Sequence, residues 1–103
     1  MLQTIREEVD KTERHLEVLE LVAEREPVGI VKLSDVAGYP HHKVRYSLRL
    51  LEDEGLIVPT ANGAATTDDL SEFLREVDAD LQNLEGRIEA LRTTEVPTSD
   101  GGE

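Results

Sequence analysis

Seven apolar residues, Leu70, Leu74, Val77, Leu81, Leu84, Ile88 and Leu91, follow one another at spacings of 4, 3, 4, 3, 4 and 3. Sustained over three heptads, that rhythm is the seam of a coiled coil, and a single stripe on one helix needs another helix to cover it. A chain of 103 residues buries about two-thirds of its unfolded surface, enough for one small core. The N-terminal helix, whose residues 2–13 extend before the rest, offers a matching stripe that could cover the seam within one chain. An uninterrupted seam of twenty-odd residues on so small a domain nevertheless favours a homodimer joined through residues 70–91. With one Phe, two Tyr and no Trp, the core must come from Leu, Val, Ile and Ala. That composition favours packed helices over an aromatic-walled ligand cavity.

The rest of the chain is punctuated clearly enough to place its elements. Leu2, Ile5, Val9, Leu16, Leu19 and Ala23 keep helical spacing over residues 2–25, and Val18, Leu21 and Val22 widen the apolar face toward the end. Pro27 and Gly29 stop that helix. A short second helix is predicted over 30–37, with Ile30, Leu33 and Val36 inward, closed by Gly38. The third starts at Pro40, whose missing N–H is not needed in a first turn, and runs to Glu54 before Gly55. Residues 56–66 then read as a hairpin. Asn62-Gly63 supplies the two positive-φ positions of a type I′ turn, and Pro59 is confined to an edge strand. The last helix is predicted from Thr67, an N-capping residue followed by two aspartates, to about Thr93. Residues 94–103 have the composition of a disordered tail.

Charge singles out one window. The chain carries a net −12, but residues 30–50 hold four bases against one acid, while 1–29 net −4 and 51–103 net −11. On a helical wheel Val44, Leu48 and Leu51 share one narrow sector. His42, Arg45, Tyr46 and Arg49 lie roughly opposite, with Lys43 on the flank. A merely solvated face in this chain should be acidic like the others. A face of donors that includes arginine, the best bidentate partner of guanine in the major groove, points to DNA instead.

The order helix, short helix, turn, helix, two-stranded hairpin resembles the winged helix-turn-helix superfamily. The resemblance rests on Leu33-Ser34-Asp35-Val36-Ala37-Gly38 and on Val44, Leu48, Leu51, Glu52, Gly55, Leu56 and Ile57, a pattern similar to that of MarR, ArsR and PadR transcription regulators. It implies a mainly α (α+β) winged helix with long terminal helices. Residues 1–13 form an N-terminal extension, 14–66 the DNA-binding domain, 67–93 the coiled-coil dimerisation helix and 94–103 the tail. It also implies sequence-specific binding of double-stranded DNA by His41, His42, Lys43, Arg45, Tyr46 and Arg49, as a homodimer. The wing departs from the pattern, since no base lies between Asp53 and Leu74. Only three of the eleven bases are lysines, a balance that resembles haloarchaeal cytoplasmic proteins, so a cytoplasmic location is expected. A chromatin-like architectural protein would carry more base charge for non-specific binding. A winged helix used as a protein-interaction module would suit the acidic surface and the bare wing.

Other classes of function lack their residues. There is no cysteine, hence no disulfide scaffold, thiolate zinc site or thiol nucleophile. No apolar run is long enough for a bilayer, and neither a signal peptide nor a membrane partner is expected. His41 and His42, adjacent on a helix, point about 100° apart and do not share a metal ion, for which helical spacing is i, i+4. Ser34, Ser47 and Ser71 lack a nucleophile-elbow context and no phosphate-cradling glycine loop appears, so no enzyme, cofactor or metal is expected. The sequence names no effector ligand.

Overall fold

The computed structural model describes residues 1–94. Its elements run α1 (Leu2–Arg25), α2 (Ile30–Ala37), α3 (His41–Asp53), β1 (Ile57–Thr60), β2 (Gly63–Thr66) and α4 (Leu70–Thr94). Residues Met1–Leu70 make one compact unit, and α4 from Ser71 on belongs to a second.

In the first unit α1, α2 and α3 pack on one another, with β1 against α3 and β2 against α1. The core consists of Val18, Leu19 and Val22 from α1, Leu33 from α2, Val44, Leu48 and Leu51 from α3, and Val28, Leu56, Ile57 and Ala64 around the hairpin. Each buried Leu, Ile or Val contributes about 1.5–3 kcal/mol, which makes this short set the main source of stability. Of the three α2 residues expected inward, Leu33 is buried, Ile30 half-buried and Val36 exposed. Eight residues make just over two turns, so one position dominates the buried side. α1 enters the core only from Val18 on: Leu2, Ile5, Val9 and Leu16 are all exposed, and the helix runs without a break between residues 13 and 14.

The turns follow from backbone chemistry. Gly38 closes α2 in the left-handed region at φ 82°, its N–H bonded to the Ser34 carbonyl at 2.9 Å. The Ser34 hydroxyl donates to the Tyr39 carbonyl, and the Tyr39 hydroxyl donates to the Glu17 carboxylate of α1. That acceptor raises the Tyr39 hydroxyl above the ordinary phenol value. At the end of α3, Gly55 N–H bonds Glu52 O and Leu56 N–H bonds Leu51 O, both at 3.0 Å, the double closure of a Schellman motif. Its flanking apolar pair, Leu51 and Leu56, is buried.

The hairpin forms, but not through the expected turn. Thr60 pairs with Gly63, so the loop residues are Ala61 and Asn62, and among the described residues none but glycines has positive φ. The Thr60 hydroxyl accepts the Asn62 N–H at 3.2 Å and donates to the Gly63 carbonyl at 2.6 Å. A side-chain bridge of this kind closes the loop without left-handed backbone at Asn62. Gly63 serves a different need. At φ 131°, a Cβ there would lie 2.6–2.7 Å from the backbone of Val28. Val28 and Ala64 exchange N–H···O bonds of 3.1 and 2.8 Å, so the segment after α1 lies along β2 as a one-residue third strand. Both polar backbone groups of Ala64 are thereby spent on Val28. Its pair with Pro59 is the non-hydrogen-bonded kind, in which the missing proline N–H costs nothing.

The last helix begins at Leu70 rather than Thr67. Residues 68 and 69 form a turn, and Thr67 accepts the Asp69 N–H at 3.3 Å while donating to the Gly55 carbonyl at 2.5 Å. Over 25 residues α4 buries no side chain and is about 37 Å long. Thr94 closes it; the remainder of the expected tail lies outside the described residues.

Two substitutions test this packing. Leu48→Ala should lower the unfolding free energy by about 2–5 kcal/mol. Gly63→Ala should cost more than about 1 kcal/mol, because the clash is with backbone that cannot swing away. Urea melts followed by circular dichroism measure both, and a neutral Gly63→Ala would mean that the Val28 backbone leaves room for a Cβ after all.

Candidate nucleic-acid interface

Helix α3 is amphipathic in the way its wheel requires. Val44, Ser47, Leu48 and Leu51 are buried, while His41, His42, Lys43, Arg45, Tyr46 and Arg49 are all exposed. None of these exposed cations forms an ion pair among the described residues, whose ion pairs join Lys11 to Glu8, Arg75 to Glu72 and Arg92 to Glu89. From His41 to Leu50 the helix carries no carboxylate. The two histidines diverge as expected. His41 lines a groove with the start of α2, including Gly29, Lys32 and Tyr39, whereas His42 lines another with α1.

The structure thus divides the expected set. His42, Lys43 and Tyr46 share the open groove with Glu7, Asp10, Lys11 and Arg14 of α1. Tyr46 also lines a second recess with Arg49, Leu50 and Asp53. Arg45 lines neither of these. Tyr46 is less free than the wheel implies, being 49% exposed. The His15 ring lies 5.8 Å from it, tilted at 40°, and the Arg14 guanidinium sits 6.0 Å from its centroid.

Beneath this face lies a polar contact that the wheel does not reveal. Ser47 is completely buried. Its Oγ accepts the Arg14 Nε–H at 3.3 Å and lies 2.8 Å from His15 Nδ1. With Arg14 donating, the serine proton is free to go to His15 Nδ1, an arrangement that needs a neutral imidazole with its proton on Nε2. Partial burial, together with the positive charges of Arg14 and Lys11, pushes His15 below its ordinary value of 6.5, in agreement with that form. The sequence does hold a signal for Ser47: it falls in the core sector with Val44, Leu48 and Leu51, where a hydroxyl must find a partner. Its partners, more than thirty residues away on α1, carry none.

The seam residues all lie on α4. Leu74, Leu81, Leu84, Ile88 and Leu91 are exposed, while Leu70 and Val77 are half-buried. The hairpin tip, Ala61-Asn62-Gly63-Ala64, is bare of charge. Among the described residues no cluster of three His, Asp or Glu is arranged to hold a metal, and no helix is long and apolar enough to cross a membrane.

Three packed helices, the last two joined by a three-residue turn, followed by an antiparallel hairpin, form an arrangement compatible with a winged helix, and its third helix turns a cationic face outward. No protein-family model matches the chain. Over 75 residues, 73% of its length, it is 35% identical to the HTH-type transcriptional regulator GlpR of Haloferax volcanii. The match spans 29% of that regulator, so the chain covers less than a third of its relative.

The depressed His15 value has a consequence for stability. Where the folded group binds its proton less tightly than the unfolded one, stability falls as pH drops through the unfolded value, here 6.5. Between pH of about 7.5 and about 5 the melting temperature of the wild type should fall relative to that of His15→Gln. Comparing the two proteins cancels the titration of the carboxylates. Parallel curves would mean that the Ser47–His15 contact is indifferent to protonation.

Proposed function

We propose that this chain is a sequence-specific, DNA-binding transcription regulator of winged helix-turn-helix type that acts as a homodimer in the cytoplasm. In this reading residues 14–66 bind DNA with α3 in the major groove, and residues 67–93 join two copies. The carboxylate-free, cationic and exposed face of α3, in a chain of net charge −12, is the observation that carries it. The likeness to a regulator whose name states helix-turn-helix supports the same reading. Arg45 and Arg49 are the principal contacts, with His41, His42, Lys43 and Tyr46 in support. The N-terminal half of a recognition helix is the part that reaches base edges, and two copies reach half-sites about 34–36 Å apart.

For the dimer, α4 offers a seam in which Leu74, Leu81, Leu84, Ile88 and Leu91 are exposed. Two copies running antiparallel, centred between Leu81 and Leu84, bring Asp80 against Arg87. Parallel copies oppose Asp80 to Glu85 and Arg87 to Arg92, like against like. Asp80 and Arg87 take no side-chain partner among the described residues, whereas Arg92 is already bonded to Glu89 at 2.9 Å. Antiparallel pairing therefore uses the two charges left over, although it also places Asp78 near Glu85.

Binding-site selection from a random duplex pool tests recognition directly. If Arg45 reads a guanine, Arg45→Ala should cost about 1–3 kcal/mol and relax preference at one base position. Joint replacement of Arg45 and Arg49 by Ala should abolish selection, and selection that survives it would remove α3 from the interface. For assembly, Leu81→Asp with Leu84→Asp should leave a monomer or an unfolded chain by sedimentation. A wild type that sediments as a monomer at tens of micromolar would refute the dimer.

A further inference from the structure

The bond that Arg14 makes to Ser47 uses Nε alone. A guanidinium has five N–H donors, and the four on the terminal nitrogens of Arg14 have no acceptor among the described residues. Arg14 also makes no ion pair there, although α1 is rich in carboxylates. The side chain is half-buried and held twice, by Ser47 and by the Tyr46 ring at 6.0 Å. An arginine fixed by Nε, with its fork unengaged, is prepared for an oxyanion at little further entropic cost.

What it meets follows from its neighbours. Arg14 lines the groove between α1 and α3 with Lys11, His42, Lys43 and Tyr46. The major groove is about 12 Å wide and a helix with its side chains about 10–12 Å. A helix seated in the groove therefore fills it, and whatever packs beside that helix lies over the sugar–phosphate backbone. Here α1 is one such neighbour, packed on α3 as α2 and β1 also are.

We propose that α1 supplies a second DNA contact, in which Arg14, with Lys11 one turn away, grips a backbone phosphate across the groove from His42 and Lys43. This rests on the reading of α3 as the DNA-facing helix and adds a partner surface to it. A fork matches phosphate geometry, and a contact to phosphate positions the protein without reading sequence. Lys11 is available because its ion pair with Glu8 is long, at 3.7 Å, and exposed on both sides. The groove has a polarity: Glu7 and Asp10 line it as well, toward the N-terminal end. The backbone must therefore cross at Arg14 and Lys11.

The test is fluorescence anisotropy on a labelled, mixed-sequence duplex of roughly three helical turns, repeated over a salt series with the full chain. Arg14→Gln keeps an amide donor for Ser47 but removes the charge. It should weaken binding roughly threefold to tenfold and reduce the slope of log Kd against log salt by about one. Arg14→Lys should retain the slope. Thermal melts of both variants should stay near the wild type, which separates a phosphate contact from a role in holding α3. An Arg14→Gln protein with the wild-type slope overturns the proposal, while loss of binding in the joint Arg45, Arg49 variant would leave the α3 reading standing. If Arg14→Gln does not fold, Lys11→Gln carries the test, because Lys11 is exposed and outside the core; an unchanged slope there overturns the proposal. A wild type that binds no duplex at any salt removes both the α3 reading and this one.

Discussion

A hydroxyl with no access to water must find its hydrogen bonds inside the protein, and Ser47 finds them on α1. Left unsatisfied, it would cost about 1–3 kcal/mol, a large fraction of the stability of a domain this size. Apolar packing alone brings α1 and α3 together but tolerates sliding, since Leu against Val is favourable in many registers. The pair of contacts from Arg14 and His15 to one buried oxygen is satisfied at a single register and rotation of α3. That rotation decides which side chains stand outward. The cationic face, the half-covered position of Tyr46 and the groove beside it all follow from where Ser47 is held.

The hairpin is fixed to the same frame by a different device. Val28 takes both backbone bonds of Ala64, and Gly63 lets the two chains approach closely enough to make them. Glu26 adds a clamp, since its carboxylate accepts the Thr66 N–H at 2.6 Å. The end of α1 is thus tied to β2 directly, as its middle is tied to α3. A two-stranded hairpin on its own is marginal in water; the third, one-residue strand removes one of its open edges.

How far the sequence discloses this depends on the range of each interaction. The α1 and α2 boundaries, the Gly38 and Gly55 closures and the buried triplet Val44, Leu48 and Leu51 are local or periodic, and they stand where the pattern puts them. Gly63 shows the limit. Asn-Gly between short strands has a sound local reading as a type I′ turn, yet the glycine is required by Val28, thirty-five residues earlier, and the loop is closed by Thr60. The start of α4 shows the same limit: the Thr67 hydroxyl accepts the Asp69 N–H but also donates to the Gly55 carbonyl, twelve residues back, and residues 68 and 69 form a turn before the helix starts at Leu70. In the candidate site, the outward residues of α3 are legible from charge and angle. Arg14 and His15 are not, because one α1 face in an acidic helix looks like any other until α3 is laid against it.

If α3 binds DNA as proposed, the charge distribution bears on how the chain holds a polyanion at all. Segments of net −4 and −11 flank a window of +3, so at low ionic strength the long-range field repels phosphate. At 1 M salt the screening length is about 3 Å. Carboxylates on the remote parts of α1 then contribute almost nothing, while a guanidinium in contact with a phosphate or a guanine keeps its short-range hydrogen bonds. An ordinary basic domain loses affinity steeply as salt releases its counterion advantage. In the proposed complex the released counterions and the screened repulsion would act in opposite directions, which would flatten the net salt dependence. Recognition in such a complex would rest on a few geometrically matched contacts rather than on net charge. In that regime a held arginine would serve better than a mobile one, and the buried Ser47, bonded to Arg14 of α1, would link the fold to the proposed contact.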